Sequence, residues 1–537
     1  MVESITVPLD AQEQEIFAKA RQRLKRVRLC AAQFQLSLFK RSVDARDREN
    51  IRFVYSVLAI NINGEYPNDA SLLQKEKIKL LYDDDGILPE FGSEIMKAPP
   101  LVVGMGPAGL FAALMLARNG YRPIIIDRGD SIEDRARTVF EFYATQRLDT
   151  DSNVQFGAGG AGTFSDGKLM TRIHDPKCSF VLNTFVEHGA PADILFVSKP
   201  HVGTDLLRGV VDSILKEIKR LGGTVRYRCR LDGFAHNADG TVTAYTTAGD
   251  ILCNTIILAI GHSARDTYKM LLRKQLELVA KPISVGVRIE HLTTDIDKAL
   301  YGDFAGHPAL GHAEYALSDT KTQRGVYTFC MCPGGEVMAA ASEENQLVVN
   351  GMSYRARNGR NSNAALVVSL GCDDFEPING SLAEGAIALQ RRIEGQAYVA
   401  GGSDYSAPVQ TVGDYLCGKA VHEPSRIQPT YMNGRCRVAD LATVFPDAVN
   451  TTLRYGLQAF DRKIEGFAAS DAVLTGAETR TSAPVRISRT QEGTAIGFSY
   501  VYPCGEGAGY AGGITSAAVD GVRTALAVMK RYAPYKD

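Results

Sequence analysis

The chain has little net charge, few cysteines and no long apolar run. Its 60 basic and 61 acidic side chains leave a net charge of −1, which excludes a globally basic nucleic-acid binder and an acidic disordered tail. No stretch approaches the roughly 18 apolar residues of a membrane helix, and the N-terminus lacks the apolar core of a signal peptide. Ten cysteines without a CxxC pair are too sparse for a disulfide scaffold. We therefore expect a cytoplasmic protein with no membrane partner.

Glycine, in contrast, is abundant, with 51 among 537 residues, whereas average usage is about 7%. Almost all of the glycine-rich motifs lie after residue 100. Residues 1–97 predict a small basic α+β domain, with a helix over 11–24 and strands over 34–40 and 51–60. The stretches RQRLKRVR and KRSVDARDREN supply its positive charge. The sequence KAPP at 97–100 predicts a linker, because consecutive prolines end regular structure.

A dinucleotide-binding fingerprint follows this linker. The apolar segment LVV leads into Gly104-x-Gly106-x-x-Gly109, a small-residue helix and a second apolar strand that ends at Asp127. Gly104 permits the tight turn, Gly106 lets a pyrophosphate approach the backbone, and Gly109 lets the helix pack on the strand. The helix N-terminus attracts phosphate, and Asp127 is expected to accept hydrogen bonds from ribose hydroxyls. The candidate cofactor residues here are Gly104, Gly106, Pro107, Ala108, Gly109, Asp127 and Arg128.

Three features favour FAD over NAD as the cofactor. Arg128 and a glycine follow the acid, as in many flavoproteins of the glutathione-reductase type. An apolar strand over 255–260 ends in a small-residue turn, and a glycine-rich stretch leads into a helix predicted over 512–532. A second helix N-terminus at the flavin would stabilise negative charge on the reduced ring. The candidate residues in these two segments are Gly261, Gly505, Glu506, Gly512, Gly513 and Ile514.

The intervening stretch SNVQFGAGGAGTFSDGKL, residues 152–169, is expected to wrap the cofactor with backbone amides and short polar side chains. Its position after the first strand–helix–strand unit favours this interpretation over a flexible surface loop, which is the alternative. The candidate residues are Gly160, Thr163, Ser165, Asp166, Gly167 and Lys168.

These motifs resemble those of the uncharacterised FAD-dependent dehydrogenases of bacteria, labelled "NAD(FAD)-utilizing dehydrogenase". The resemblance runs from residue 101 to the end and includes KPHVGTDLLR, RGVYTFCMCPGGEV, FDRKIEGFA, ETRTSAPVRI and YPCGEGAGYAGGITSAAVDG. It implies an α/β fold with a glutathione-reductase-type, Rossmann-like FAD-binding domain at 98–276 and 485–537. It also implies an inserted α+β substrate or cap domain at 277–484 and the small leading domain at 1–97. The family commonly has glutamate where this chain has Ala158.

The cysteines limit the chemistry. No CxxxxC pair occurs between residues 101 and 177, which excludes dithiol reduction at the place where disulfide reductases of this fold perform it. Cys330 and Cys332 form a CxC pair, for which structural buried thiols, a redox or nucleophilic role and metal binding are alternatives. Two sulfurs do not complete a tetrahedral site, so no metal is expected. We identify no second strand–GxGxxG–helix unit that would form a separate NAD(P) domain, so NAD(P)H is a possible electron donor without a dedicated domain.

Arg480 and His262 complete the candidate catalytic residues. Arg480 would hold a substrate carboxylate through its planar fork, or form a structural salt bridge with Glu478 or another acid. His262, beside the small-residue turn, would serve as an acid or base, or pack against the cofactor.

The expected function is an FAD-dependent oxidoreductase that performs two-electron transfer on a small molecule. An NAD(P)H-driven reductase is one alternative. The other is a flavin-containing protein that binds RNA or a partner through its basic module. Nucleic-acid binding is not the favoured interpretation, because that module lacks an RNP or helix-turn-helix signature. The sequence does not indicate an oligomeric state.

Overall fold

The computed structural model describes residues 1–27, 29, 33–61, 69–81, 87–419 and 421–535. The N-terminal part forms a three-stranded antiparallel sheet in the order β1-β3-β2, with helix α1 packed beside it. Its elements are β1 (Val2–Val7), α1 (Glu13–Arg26), β2 (Phe34–Asp44), β3 (Arg52–Asn61) and α2 (Ala70–Lys75). The predicted helix and both strands are present with shifted ends. Arg28, the last residue of the predicted stretch RQRLKRVR, lies outside the described residues.

Several basic side chains of this part bind its own groups. Arg23 donates to the carbonyl oxygens of Glu3 and Ser4, and Arg46 pairs with Asp44 at 2.6 Å. The apolar core of residues 2–57 is continuous with the core of residues 283–477. The N-terminal part therefore packs directly against residues 283–477.

A five-stranded parallel sheet carries the fingerprint. Its strand order is β22-β10-β4-β5-β6. Helices α3, α5, α6 and α12 cover one face, and the β7–β9 meander with α7 covers the other. The elements are β4 (Leu101–Val103), α3 (Pro107–Arg118), β5 (Ile124–Ile126), α4 (Ile132–Thr145), α5 (Lys177–Glu187), α6 (Thr204–Arg220), β6 (Thr224–Arg226), β7 (Leu231–His236), β8 (Val242–Thr246), β9 (Ile251–Cys253), β10 (Ile256–Leu258), α7 (Arg265–Arg273), β22 (Val501–Pro503) and α12 (Ile514–Arg531).

This strand order is doubly wound, because the chain runs outward from β4 in one direction through β5 and β6 and in the other through β10 and β22. In such sheets ligands bind beyond the carboxyl ends of the strands, where the order reverses. Here that point lies between β4 and β10, so the turns that follow these two strands face a common crevice.

Residues 283–478 build a second unit around a seven-stranded mixed sheet in the order β13-β14-β17-β12-β20-β18-β19. Strands β12 and β17 lie at its centre and are buried along almost their whole length. The elements are β11 (Leu278–Ala280), β12 (Ile283–Leu292), α8 (Thr293–Tyr301), β13 (Ser318–Asp319), β14 (Val326–Cys332), β15 (Glu336–Ala339), β16 (Val349–Met352), β17 (Asn361–Leu370), α9 (Leu382–Ala400), β18 (Ala407–Thr411), α10 (Val412–Cys417), β19 (Cys436–Val438), α11 (Asp447–Asp461), β20 (Val473–Glu478) and β21 (Val485–Ile487).

The junctions between these parts are well packed. The segment predicted as a linker, residues 97–100, hydrogen-bonds to Asn254 from Lys97 N–H and Pro99 carbonyl, so it lies along the parallel sheet. Just before it, Gly92 and Glu94 bond to the C-terminal end of α12. The chain enters and leaves the second unit through the antiparallel pair β11–β21. Within the described ranges no helix is both long and apolar enough to cross a bilayer.

Candidate functional site

The turn after β4 has the geometry that a close-approaching ligand requires. Gly104 has φ +105°, and a side chain there would collide with the Ala259 carbonyl. A side chain at Gly109 would collide with the carbonyl oxygen of Gly104. Gly106 caps α3 with φ −72°, and a Cβ on it would come only within 3.9 Å of Gly160. A ligand can therefore approach the Gly106 backbone closely, whereas Gly104 and Gly109 are required by the turn itself.

Asp127 ties this turn to two others. Its Oδ2 accepts the Met105 N–H at 2.8 Å, and its Oδ1 accepts those of Gly129 and Gly157 at 2.9 Å. Arg128 stacks on the Phe156 ring with 4.4 Å to the centroid and faces the carboxylates of Asp151 and Asp266.

The glycine-rich loop of residues 153–164 is organised by Arg135, a residue absent from the sequence-based candidates. This arginine is fully buried, and burial lowers its pKa to about 9. It donates to the Thr163 hydroxyl at 2.8 Å and stacks on Phe164. It also donates, at 2.8–3.4 Å, to the carbonyl oxygens of Asn153, Val154, Gly157, Ala158 and Gly160. Because these carbonyls point at one guanidinium, the loop is held in a fixed curve around it.

The end of this loop reaches the second unit. Ser165 Oγ accepts the Gly167 N–H within the loop's own turn. Asp166 is fully buried and binds Ser353 and, at 2.7 Å, Nη2 of Arg357. Burial raises the pKa of Asp166, but the positive charges of Lys168 and Arg357 outweigh it and lower the value to about 2.

Lys168 directs its amine into this junction. Its Nζ is buried, lies 3.6 Å from Oδ2 of Asp166 and has no hydrogen-bond partner among the described residues. Burial alone would lower the pKa of the Lys168 amine. The charges of Asp166, Cys332 and Cys330 outweigh burial and raise this pKa. The ammonium is therefore retained at neutral pH.

Cys330 and Cys332 lie at the end of β14 beside Arg288. The Arg288 Nη2 donates to the Cys330 carbonyl at 2.8 Å and lies 3.7 Å from Cys332 Sγ, while Nη1 is 3.3 Å from Glu478. Interaction with Cys332, together with the charges of Lys168 and Arg288, lowers the pKa of the Cys330 thiol against the effect of burial. Burial raises the pKa of Glu478 to about 7.

A second charged cluster surrounds His262. Arg480 is 6% exposed; its Nε and Nη2 bind the Glu394 carboxylate at 3.1 and 2.9 Å, and its Nη1 binds Ser342. Arg265 binds the same carboxylate at 2.7 and 2.8 Å. Burial and the charges of these two arginines lower the pKa of His262 to about 3, so the imidazole is neutral at pH 7.

This geometry bears on the two interpretations of Arg480. Its fork is occupied by protein oxygens, as in the salt-bridge interpretation, but the acid is Glu394. Glu478, the acid named from the sequence, instead binds Arg288. A substrate-holding role for Arg480 would require this pairing to change.

The C-terminal glycine stretch faces the same crevice. Tyr268 donates to the Gly507 carbonyl at 2.8 Å, which fixes the stretch against the turn at Gly261. Gly505 N–H donates to Asp520 at 2.6 Å. Burial raises the pKa of Glu506 to about 7 despite the nearby Lys281. No Cβ contact within 4 Å would arise at Gly261 or Gly512, and Gly513 caps α12, which begins at Ile514.

The structure thus brings the fingerprint, the loop of residues 153–169, the turn at Gly261 and the start of α12 together around one crevice. Cys330, Cys332 and Lys168 form one cluster at its edge, and His262 and Arg480 form another. No metal-binding group of three or more His, Cys, Asp or Glu side chains occurs in the part of the chain that is described.

Sequence reasoning missed four charged residues that organise these clusters: Arg135, Arg265, Arg288 and Glu394. A signal for Arg135 was present, because Arg135, Val139 and Phe142 share one helical face and are all buried. Arg288 likewise lies between Val287 and Ile289 in a strand that is buried along almost its whole length. A charge on an apolar face or within an apolar strand indicates a buried partner.

Comparison with known proteins supplies the family. The model of a family described as "FAD-dependent protein, C-terminal domain-like" matches residues 282–481, and a domain of unknown function matches residues 2–59. A protein of Clostridium beijerinckii described as uncharacterized is 46% identical over 511 residues, 93% of each chain. The chain belongs to this family of FAD-dependent proteins.

Among solved structures, NikD, titled an unusual amino acid oxidase, aligns with 81% of this chain and 94% of its own. The identity is 12% and the TM-score 0.34. CtdE in complex with FAD aligns with 80% of this chain and 84% of its own, at 10% identity and a TM-score of 0.33. Likenesses this weak decide nothing about the reaction.

The residues of this FAD-dependent protein fit its cofactor. The open backbone at Gly106 and the first turn of α3, whose N–H groups have no partner inside the helix, suit the pyrophosphate. The start of α12 offers a second set of such groups. The glycines at 261 and 512 leave room where a side chain would intrude.

Proposed function

We propose that the protein is an FAD-dependent oxidoreductase that performs two-electron transfer on a small molecule, with non-covalently bound FAD in a glutathione-reductase-type arrangement. The FAD-binding domain would comprise residues 98–276 and 485–537, the substrate or cap domain 277–484, and the leading domain 1–97. FAD, when bound, supplies the two-electron chemistry, and the side chains below supply orientation and charge.

The observation that carries this proposal is that the loop bearing Lys168 is joined to the start of α12. Thr515, in the first turn of α12, donates to the Leu169 carbonyl at 2.7 Å, and Ile514 packs against Gly162. The loop that carries Lys168 is therefore bonded to the first turn of a helix, whose N-terminus favours negative charge, and the Lys168 ammonium adds a positive charge on the same loop. Such a combination stabilises charge that develops during reduction or binds an anionic substrate.

Two buried glutamates can hold or release protons. Glu506 and Glu478 each have a pKa raised to about 7 by burial, which poises them for proton transfer near neutral pH. His262 stays neutral. Its Nδ1 lies 3.0 Å from Ser263 Oγ, so the bond with Ser263 does not involve Nε2. Glu506 and Glu478 would deliver or accept the proton that accompanies electron transfer, and the neutral His262 would only donate or accept a hydrogen bond.

The electron donor is open to direct test. We propose NADH or NADPH as a donor that binds without a dedicated domain. The purified protein should show a flavin absorption spectrum and release FAD rather than FMN on denaturation. Each nucleotide is then added anaerobically, and bleaching of the flavin band is followed by stopped flow.

A matched pair of variants tests the role of Lys168. In Lys168→Met, FAD should remain bound while reduction by donor or substrate slows by roughly 10- to 100-fold, which corresponds to about 1.4–2.7 kcal/mol. In Lys216→Met, which removes an exposed lysine paired with Asp212, the rate should be unchanged. If Lys168→Met reduces at the native rate, the cluster around Lys168 is not the reacting site.

A further inference from the structure

The backbone at Cys330 departs from a regular strand. In the pairing of β14 with β17, Phe329 faces Ala365 and Cys332 faces Asn363, so β14 carries one extra residue between these pairs. This is a β-bulge, a device that redirects a side chain and occurs often beside active sites. Cys330 also has φ +45°, a left-handed conformation that non-glycine residues rarely adopt. Residues in such conformations cluster at functional sites.

The bulge brings both cysteines close to the guanidinium of Arg288. The Cys332 thiol donates to the Cys330 carbonyl oxygen at 3.4 Å, and Nη2 of Arg288 reaches both that carbonyl and Cys332 Sγ. Cys330 is partly accessible, whereas Cys332 is fully buried. Cys330 is therefore the residue of the pair that solvent reaches, while Cys332 stays protected.

The charges around the pair come from both parts of the protein. Lys168 belongs to the loop of the parallel-sheet unit, and its buried amine has no hydrogen-bond partner among the described residues. Arg288 belongs to β12 and lies 3.7 Å from Cys332 Sγ. The facing acids are Asp166, already bound to Arg357, and Glu478, bound to Arg288. The two cations favour a thiolate.

We infer that Cys330 and Cys332 are a redox-active dithiol that reduces a small-molecule disulfide. The Cys330 thiolate attacks one sulfur of the substrate, whose S–S bond breaks, and the first thiol leaves after taking up a proton. Cys332 then loses its proton, and its sulfur attacks that of Cys330 and releases the second thiol. The pair gives up two electrons and becomes an intramolecular disulfide, while the substrate disulfide becomes two thiols.

Return of the two electrons rests on the proposed function, in which reduced FAD is the reductant. The dithiol itself can be tested without that step, on the FAD-loaded protein, with glutathione disulfide as the probe. The protein is equilibrated in glutathione buffers of graded potential and quenched with an alkylating agent, and its peptides are analysed by mass spectrometry. We expect a Cys330–Cys332 disulfide that forms and disappears reversibly across the series.

Three variants sharpen this test. Cys330→Ser and Cys332→Ser should each abolish the intramolecular disulfide, and Cys332→Ser should instead retain a mixed disulfide with glutathione on Cys330. Cys178→Ser, which removes a half-buried thiol elsewhere, should leave the pair unchanged. If either serine variant loses FAD or helical content, the test rests on disulfide formation in the native protein and on the alkylation profile of Lys168→Met.

The alkylation rate of Cys330 supplies a readout that a structural thiol would not give. With iodoacetamide in the native protein, the rate should rise with an apparent pKa below that of an ordinary thiol. Lys168→Met should move this value upward by roughly 1–3 units, because one stabilising positive charge is lost.

The inference is overturned if no Cys330–Cys332 disulfide forms at any potential, or if Lys168→Met leaves the alkylation profile unchanged. Flavin reduction by a donor in a protein whose thiols never oxidise would retain the proposed function and reject the dithiol. Reversible thiol oxidation in a protein whose flavin no donor reduces would retain the dithiol and reject the proposed function.

Discussion

Replacement of Gly106 by alanine should separate cofactor binding from folding. The φ of −72° at Gly106 suits alanine, and its Cβ would meet only Gly160, at 3.9 Å. The remaining cost is that of alanine at a helix cap, about 1 kcal/mol. We therefore expect Gly106→Ala to fold, with a melting temperature for the FAD-free protein within roughly 4 °C of the parent.

FAD affinity should fall much further. A methyl group in front of the Gly106 backbone displaces the pyrophosphate from the N–H groups of α3. Loss of one charge-assisted hydrogen bond costs about 1.5–3 kcal/mol, which raises Kd by about 10- to 150-fold. The assay is quenching of flavin fluorescence on titration of FAD-free protein, with the melting temperature followed in the same samples.

Two other glycines provide the contrast. Gly109→Ala places a methyl group against the Gly104 carbonyl, so it should lower the melting temperature as well as the affinity. Gly209→Ala, in the interior of α6 with no atom near its Cβ, should change neither for the worse. Native FAD affinity in a well-folded Gly106→Ala protein would refute the placement of the pyrophosphate at this turn.

Three further predictions concern the buried charges. Arg135→Met leaves the loop carbonyls without their donor, at about 1–3 kcal/mol for each one left unsatisfied, so we expect a lowered melting temperature and poor flavin retention on gel filtration. Glu394→Gln leaves Arg265 and Arg480 buried without their shared carboxylate and should cost about 3–5 kcal/mol, measured by urea unfolding. His262 has a folded-state pKa lowered from 6.5 to about 3, so the unfolded state binds its proton first. The unfolding free energy should therefore fall as pH decreases between these values, and His262→Asn should flatten that part of the profile.

The cofactor-binding elements could be predicted from the sequence because their signals are local. The strand, turn and helix around Gly104, Gly106 and Gly109 lie within about thirty residues of each other, and each glycine answers a steric need of its own turn. The same holds for α12, which begins at Ile514 close to the expected start. The domain boundaries and the roles of the site residues stay predictions.

The charged clusters could not be predicted in the same way. Glu394 meets Arg265 and Arg480, which are 129 and 86 residues away along the chain. The pairing with Arg265 depends on how α9 of the second unit docks against α7 of the parallel-sheet unit, and the pairing with Arg480 depends on how α9 packs against β20. No local pattern encodes that docking, and the sequence offered Glu478, only two residues from Arg480, as a nearer partner.

Asp127 shows how one residue can satisfy a local prediction and serve a wider purpose. The fingerprint assigns it to a ribose, yet its carboxylate accepts the N–H groups of Met105, Gly129 and Gly157. Each carboxylate oxygen has two lone pairs, and Oδ2 accepts only one of these three bonds, so it retains capacity for a ribose hydroxyl. The three bonds join the turn after β4, the turn after β5 and the glycine-rich loop. The residue expected to contact the cofactor therefore also holds together the three backbone segments that surround it.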